Sequence, residues 1–135
     1  FITHDLLADQ TISSLLPLYS GVITSEQAAR LVSCIKNYKT FGLNHPIPSV
    51  PLNNIDFDHI RYWKGPTWIN TNWLIIDGLK RYGYAELADE LRERTIELVQ
   101  HHGPYEYFSP KDGQPLGAAN FSWTAGLTID LLLDN

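Results

Sequence analysis

Apolar residues recur at helical spacing in five stretches of this chain, separated by breaks that alternate between short and long. Over residues 11–19, Ile12, Leu15, Leu16 and Tyr19 share a face, with Thr11 placed to cap the helix, Gly21 to stop it and Pro17 to kink or end it. The next start is sharper. Thr24 with Gln27 three residues later forms a capping-box pattern, and Ala28, Leu31, Val32 and Ile35 then recur as far as Lys36 and Lys39, with Gly42 closing the element. A third helix opens at Asn70 or Thr71, carries Trp73, Ile76 and Leu79 on one face, and stops at Arg81 and Gly83. The fourth, residues 85–102, sets Leu87, Leu91, Leu98 and Val99 inside and Glu86, Glu90, Glu93 and Arg94 outside, with Gly103-Pro104 as its stop. A fifth covers roughly residues 122–132.

The breaks carry as much information as the helices. Residues 41–68, about 28 in all, hold Pro46, Pro48, Pro51, Asn53 and Asn54 with Phe57, Tyr62, Trp63 and Trp68 and no lasting periodicity; loops of that length in compact domains are functional or disordered. Residues 103–121 have a turn composition around Tyr105-Glu106-Tyr107-Phe108 and read as irregular. Helices that reverse at each connection place both long loops at the same end of the molecule, and function is expected there. The apolar faces are wider than five helices can bury among themselves. The fold class expected is therefore all-α, with this chain a part of a helical toroid or solenoid.

Composition narrows the partners. Among 135 residues, 10 Lys and Arg face 15 Asp and Glu, for a net charge of -5 without a basic run, which argues against nucleic acid and anionic membranes. The longest apolar runs, residues 73–76 and 131–133, fall far short of the roughly 20 residues that span a bilayer. Cys34 is the single cysteine and sits on a predicted amphipathic helix, so no disulfide framework is expected and a cytoplasmic setting is favoured. The chain begins with Phe1 and has no Met, which reads as a processed or truncated piece and leaves any targeting segment open.

Candidate chemistry gathers in the long loops. Glu106 lies between Tyr105 and Tyr107, and a carboxylate among rings loses solvation, which suits general acid or base work; a solvated loop glutamate beside packing residues fits the same sequence. Tyr62, Trp63 and Trp68 offer flat apolar faces with a polar edge, the surface on which a sugar ring stacks, or else core anchors between helices. Asp56 and Asp58 flank Phe57 and suit either ligand hydroxyls or Asx turns. His4, His45, His59, His101 and His102 show no metal-ligand spacing, and no nucleophile elbow, phosphate loop or CxxC occurs; no metal and no cofactor is expected.

The segments Tyr62-Trp63-Lys64-Gly65-Pro66-Thr67-Trp68-Ile69-Asn70-Thr71-Asn72-Trp73, Gly78-Leu79-Lys80-Arg81-Tyr82-Gly83, Tyr105-Glu106-Tyr107-Phe108 and Phe121-Ser122-Trp123-Thr124-Ala125 resemble the C-terminal part of glycoside hydrolase family 63 and its trehalase-like relatives. Within that group they are similar to bacterial-type mannosylglycerate and glucosylglycerate hydrolases, with their YWRGPxW and YEYF segments. The resemblance implies an (α/α)6 toroid of roughly twelve helices, of which residues 1–135 supply about five as one C-terminal segment of a single catalytic domain.

It also implies roles. Glu106 falls on the general base, Tyr62, Trp63 and Trp68 on the sugar pocket, and Tyr105 and Asn120 on further substrate-binding positions. Lys64 stands where an Arg is usual, which leaves aglycone choice open because a planar bidentate contact is lost. The implied reaction is inverting hydrolysis of an α-glycoside, with base and acid carboxyls roughly 6.5–9.5 Å apart. The acid Asp is expected in an upstream segment, since none of Asp5, Asp9, Asp56, Asp58, Asp77, Asp89, Asp112, Asp130 or Asp134 sits in a matching motif. The chain alone should then be inactive and poorly folded, needing the N-terminal remainder of the toroid. Other substrates, those of an oligosaccharide-trimming glucosidase or a trehalase, and a non-catalytic carbohydrate-binding scaffold are the alternatives.

Overall fold

The computed structural model describes residues 9–42 and 44–134, so His4 and Asp5 lie outside the described residues. A 3-10 turn, Ile12–Leu15, leads through Leu16 into the short helix α1, Pro17–Ser20. The single helix expected over residues 11–19 is thus two pieces. Pro17 opens the second piece: at the first helical position its missing N–H has no partner to lose, and Gly21 closes the turn with φ 71°.

Helix α2, Ser25–Lys36, starts on the expected box: Thr24 Oγ1 accepts from the Gln27 N–H at 3.2 Å and the Thr24 N–H donates to Gln27 Oε1 at 2.9 Å. It ends at Lys36, before Lys39. Helix α3, Ile69–Arg81, begins one residue ahead of the expected start, with Trp68 as N-cap and no side-chain cap. Helix α4, Ala85–His102, has the expected bounds, and α5, Ser122–Leu133, runs one residue further than expected.

Helix α3 is the central strut, packed against α1, α4 and α5. Its Ile75, Ile76 and Leu79 are buried with Leu15, Leu18, Val32, Phe41, Leu91 and Leu131 in one core, each such side chain contributing ~1.5–3 kcal/mol of transfer free energy. Trp73, expected on the inner face, is half-buried at its margin and donates from Nε1 to Asp130 Oδ2 at 2.6 Å. Asn72 takes an inner position instead. Wholly buried, it accepts from the Ile47 N–H at 2.8 Å and donates to Ile47 O at 3.0 Å and Trp68 O at 2.9 Å, satisfying the loop main chain at Ile47 that no helix serves.

The region expected to be irregular contains a β-ribbon: β1, Tyr107–Phe108, pairs antiparallel with β2, Pro115–Leu116. Single bridges extend it, Phe108 to Thr67 and Thr67 to Pro48. The Thr67 N–H donates to Phe108 O at 2.8 Å and the Phe108 N–H to Thr67 O at 3.0 Å, so the two long loops lie at one end of the helices, joined by main-chain bonds.

Candidate active site

The first long loop folds back on itself before reaching α3. The Asp58 N–H donates to Lys64 O at 2.7 Å, the Arg61 N–H to Asp58 O at 3.1 Å and the Lys64 N–H to Arg61 O at 2.7 Å, which turns residues 58–64 tightly and presents Tyr62 and Trp63 at the tip. Asp56 and Asp58 serve this turn. Asp58 Oδ1 accepts from the Ile60 N–H at 3.2 Å, an Asx turn, and Asp56 Oδ2 pairs with Lys64 Nζ at 3.0 Å.

Tyr62 has φ 35°, the left-handed region in which a side chain on Cβ is crowded, at a cost of ~1–3 kcal/mol. What holds it there is visible. The indole Nε1 of Trp68 donates to Tyr62 O at 3.1 Å, and the Tyr62 ring stands edge-on to Trp63, Trp68 and Tyr107 with centroids 6.1, 5.0 and 5.4 Å away. Those three rings form a stack. Trp63 and Trp68 are 4.2 Å apart and 3° from parallel, and Trp68 and Tyr107 are 4.9 Å apart at 23°. Trp68 is the inner slab, 2% exposed, whereas Trp63 at 41% and Tyr62 at 51% face outward. The open aromatic surface is therefore made by Tyr62 and Trp63, with Trp68 and Tyr107 behind them.

Glu106 follows the same stack along the second loop. Its N–H donates to Ala118 O at 2.9 Å and its Oε2 accepts from the Ala118 N–H at 3.2 Å, so the residue is bound twice to one peptide position. Tyr107 registers the neighbouring charge: burial, then the Glu106 carboxylate and then Tyr62 push its phenol above the ordinary tyrosine range. Tyr105 turns the other way. Its ring packs on the lesser core of Ile69, Leu98, Val99 and Phe108, and its carbonyl accepts from Thr124 Oγ1 at 2.7 Å. Asn120 is exposed, with φ 56°; Tyr62 and Asn120 are the two non-glycine residues with positive φ among those described.

Tyr107, Gly117 and Ala118 belong to this site without having been singled out by sequence. Asp112-Gly113 between two short apolar pairs was the available signal for the hairpin that positions them. His59 also finds an unforeseen place: its Nδ1 lies 3.0 Å from Ser109 Oγ, fastening the first loop to the hairpin. The Ser109 hydroxyl and the Gln114 N–H hold the Asp112 carboxyl below its usual range.

Known proteins resemble this chain in sequence and in fold. Residues 2–124 match the family described as the mannosylglycerate hydrolase MGH1-like glycoside hydrolase domain. Mannosylglycerate hydrolase MGH1 of Selaginella moellendorffii is 36% identical over 128 residues, covering 95% of this chain and 26% of the relative. Glucosylglycerate hydrolase of Mycolicibacterium hassiacum is 31% identical over 132 residues, covering 93% and 29%. Among solved structures, the GH63 mannosylglycerate hydrolase from Thermus thermophilus in complex with glucose superposes with a TM-score of 0.85 at 32% identity, over 95% of this chain and 32% of that one. This chain thus spans about a third or less of the length of these proteins, and its helices are part of an (α/α)6 toroid. By sequence and by fold, the chain belongs to glycoside hydrolase family 63, in its mannosylglycerate hydrolase MGH1-like branch.

Proposed function

We propose that residues 1–135 are the C-terminal segment of an inverting α-glycoside hydrolase that cleaves a small hexosylglycerate, mannosylglycerate or glucosylglycerate, with Glu106 as its general base. The observation that carries this reading is the placement of the Glu106 carboxylate next to a wall of four aromatic rings at the loop end of a glycoside hydrolase fold. The outward faces of Tyr62 and Trp63 suit the C–H face of a hexose. With the ring stacked there, Glu106 takes a proton from a water molecule as that water's oxygen bonds to the anomeric carbon. The glycosidic C–O bond breaks on the opposite side, and the departing oxygen is protonated by an acid carboxyl.

That acid is an Asp supplied by a part of the toroid outside this chain, roughly 6.5–9.5 Å from Glu106. Asn120 is assigned to a substrate hydroxyl, and Tyr105, whose ring packs inward, to supporting the base-bearing segment. Lys64, which directly follows Trp63 and is held by Asp56, bears on aglycone choice.

The test uses the full-length protein that carries this chain, beside its Glu106→Gln variant, on mannosylglycerate, glucosylglycerate, trehalose and an α-glucosyl oligosaccharide. The hexosylglycerate is expected to be hydrolysed with inversion, read by NMR of the freshly released sugar, and Glu106→Gln should lower kcat about 100-fold or more. Cleavage of trehalose or the oligosaccharide alone would move the substrate assignment. Equal rates for parent and variant would leave Glu106 a loop residue and favour a sugar-binding scaffold.

A further inference from the structure

Glu106 can act as a base only if its carboxylate is held in one place, and the hairpin contains a device that does this. The Ala118 N–H engages Oε2, and among the described residues no hydrogen bond is made to Oε1. The space Oε2 occupies is the space a side chain at residue 117 would need. A Cβ built on Gly117 would lie 2.6 Å from Glu106 Oε2, 2.7 Å from Tyr107 Cε1 and 2.8 Å from Glu106 Cβ, all far inside contact distance, and Gly117 has φ 73° besides.

We infer that Gly117 and Ala118 are positioning residues for the Glu106 carboxylate: the bare Cα of Gly117 admits it against the Tyr107 ring, and the Ala118 N–H fixes Oε2 so that Oε1 is the oxygen presented to water. This rests on the assignment of Glu106 as base. The alternative source of the glycine is its backbone conformation alone, and the molecule holds a control for that. Gly83 has φ 81° with nothing within 4 Å of a built Cβ, so Gly83→Ala meets the same backbone strain without approaching Glu106.

Two measurements on the full-length protein decide it. In kinetics on the hydrolysed hexosylglycerate, Gly117→Ala should lower kcat about 100-fold, as misplacement of a reacting group does, with KM within about threefold of the parent. Gly83→Ala should keep the parent kcat. A folded Gly117→Ala enzyme with parental kcat overturns the inference. The second measurement needs no glycine variant to fold: with alanine 15N-labelled, the Ala118 amide proton shift is followed from about pH 3 to 8, the range across which a carboxylate titrates. It should move with pH in the parent and stay flat in Glu106→Gln. A flat Ala118 signal in the parent overturns the inference, whatever the kinetics show. If Glu106→Gln turns over at the parental rate, the base assignment fails instead, and the amide titration still reports whether Ala118 holds the carboxylate.

Discussion

Trp63 lies ring over ring on Trp68, 4.2 Å between centroids, yet the two tryptophans are differently placed: one is open to solvent and the other is sealed beneath it. Their replacement by alanine should separate binding from stability. Trp68→Ala removes a buried ring and the donor to Tyr62 O, at a cost of ~3–5 kcal/mol read in denaturant unfolding. Trp63→Ala should leave the thermal midpoint near that of the parent but lose a stacking face worth ~1–1.5 kcal/mol, close to a tenfold rise in KM. Equal stability losses for the two would contradict this division.

The phenol of Tyr107 provides a spectroscopic handle on Glu106. Because burial and the neighbouring carboxylate oppose its ionisation, the folded state favours the neutral phenol. That contribution to stability is intact below pH ~10, the value of a free tyrosine, and is lost as pH rises through the higher folded value. Absorbance near 295 nm should show a late-titrating tyrosine component that disappears in Tyr107→Phe. In Glu106→Gln it should titrate earlier than in the parent, though still later than a free tyrosine, since burial remains. No change on removing the carboxylate would mean that Glu106 does not face the ring.

Gly78 tests the packing of the strut. In a helix interior, alanine is better than glycine by ~1 kcal/mol on propensity alone. Here a Cβ would sit 2.7 Å from Leu18 C and Tyr19 N, main-chain atoms of α1 that cannot rotate away. Overpacking of this kind costs ~1–3 kcal/mol or more, so Gly78→Ala is expected to lower the thermal midpoint. A rise would show that α1 can slide along α3.

Helix α5 turns Trp123, Ile129, Leu132 and Leu133 outward, Leu133 with 74% of its surface exposed. An apolar face of that kind on a single chain is an association liability. Expressed alone, residues 1–135 are expected to self-associate and to unfold with little cooperativity in calorimetry. A monomer with a sharp reversible transition would show that the segment is stable by itself.

Most of the helical framework was legible because its signals are local. Thr24 and Gln27 sit three residues apart and cap each other; Gly103 stops α4 where the sequence stops being amphipathic. The hairpin at Glu106 was missed because its strands are two residues each, too short for alternation to register, and only Asp112-Gly113 marked it. At the wall, the identities of Tyr62, Trp63 and Trp68 could be read, but which of them is open could not. The left-handed turn at Tyr62 is imposed by a bond from Trp68, six residues on, and no propensity encodes it. Gly117 was likewise unreadable, since its necessity comes from a carboxylate eleven residues earlier in the chain.

The ladder from Pro48 through Thr67 and Phe108 to Pro115 has a kinetic meaning as well. Two of its rungs, Pro48 to Thr67 and Thr67 to Phe108, join distant parts of the chain, so no helical hairpin can build it by itself, and loop-closure entropy is spent before those rungs form. Refolding should therefore recover helicity first, while the Trp68 environment and the registration of Glu106 against the rings arrive as a later phase. A nascent chain would pass through a helical but inert stage, in which the parts of the site exist and do not yet face each other.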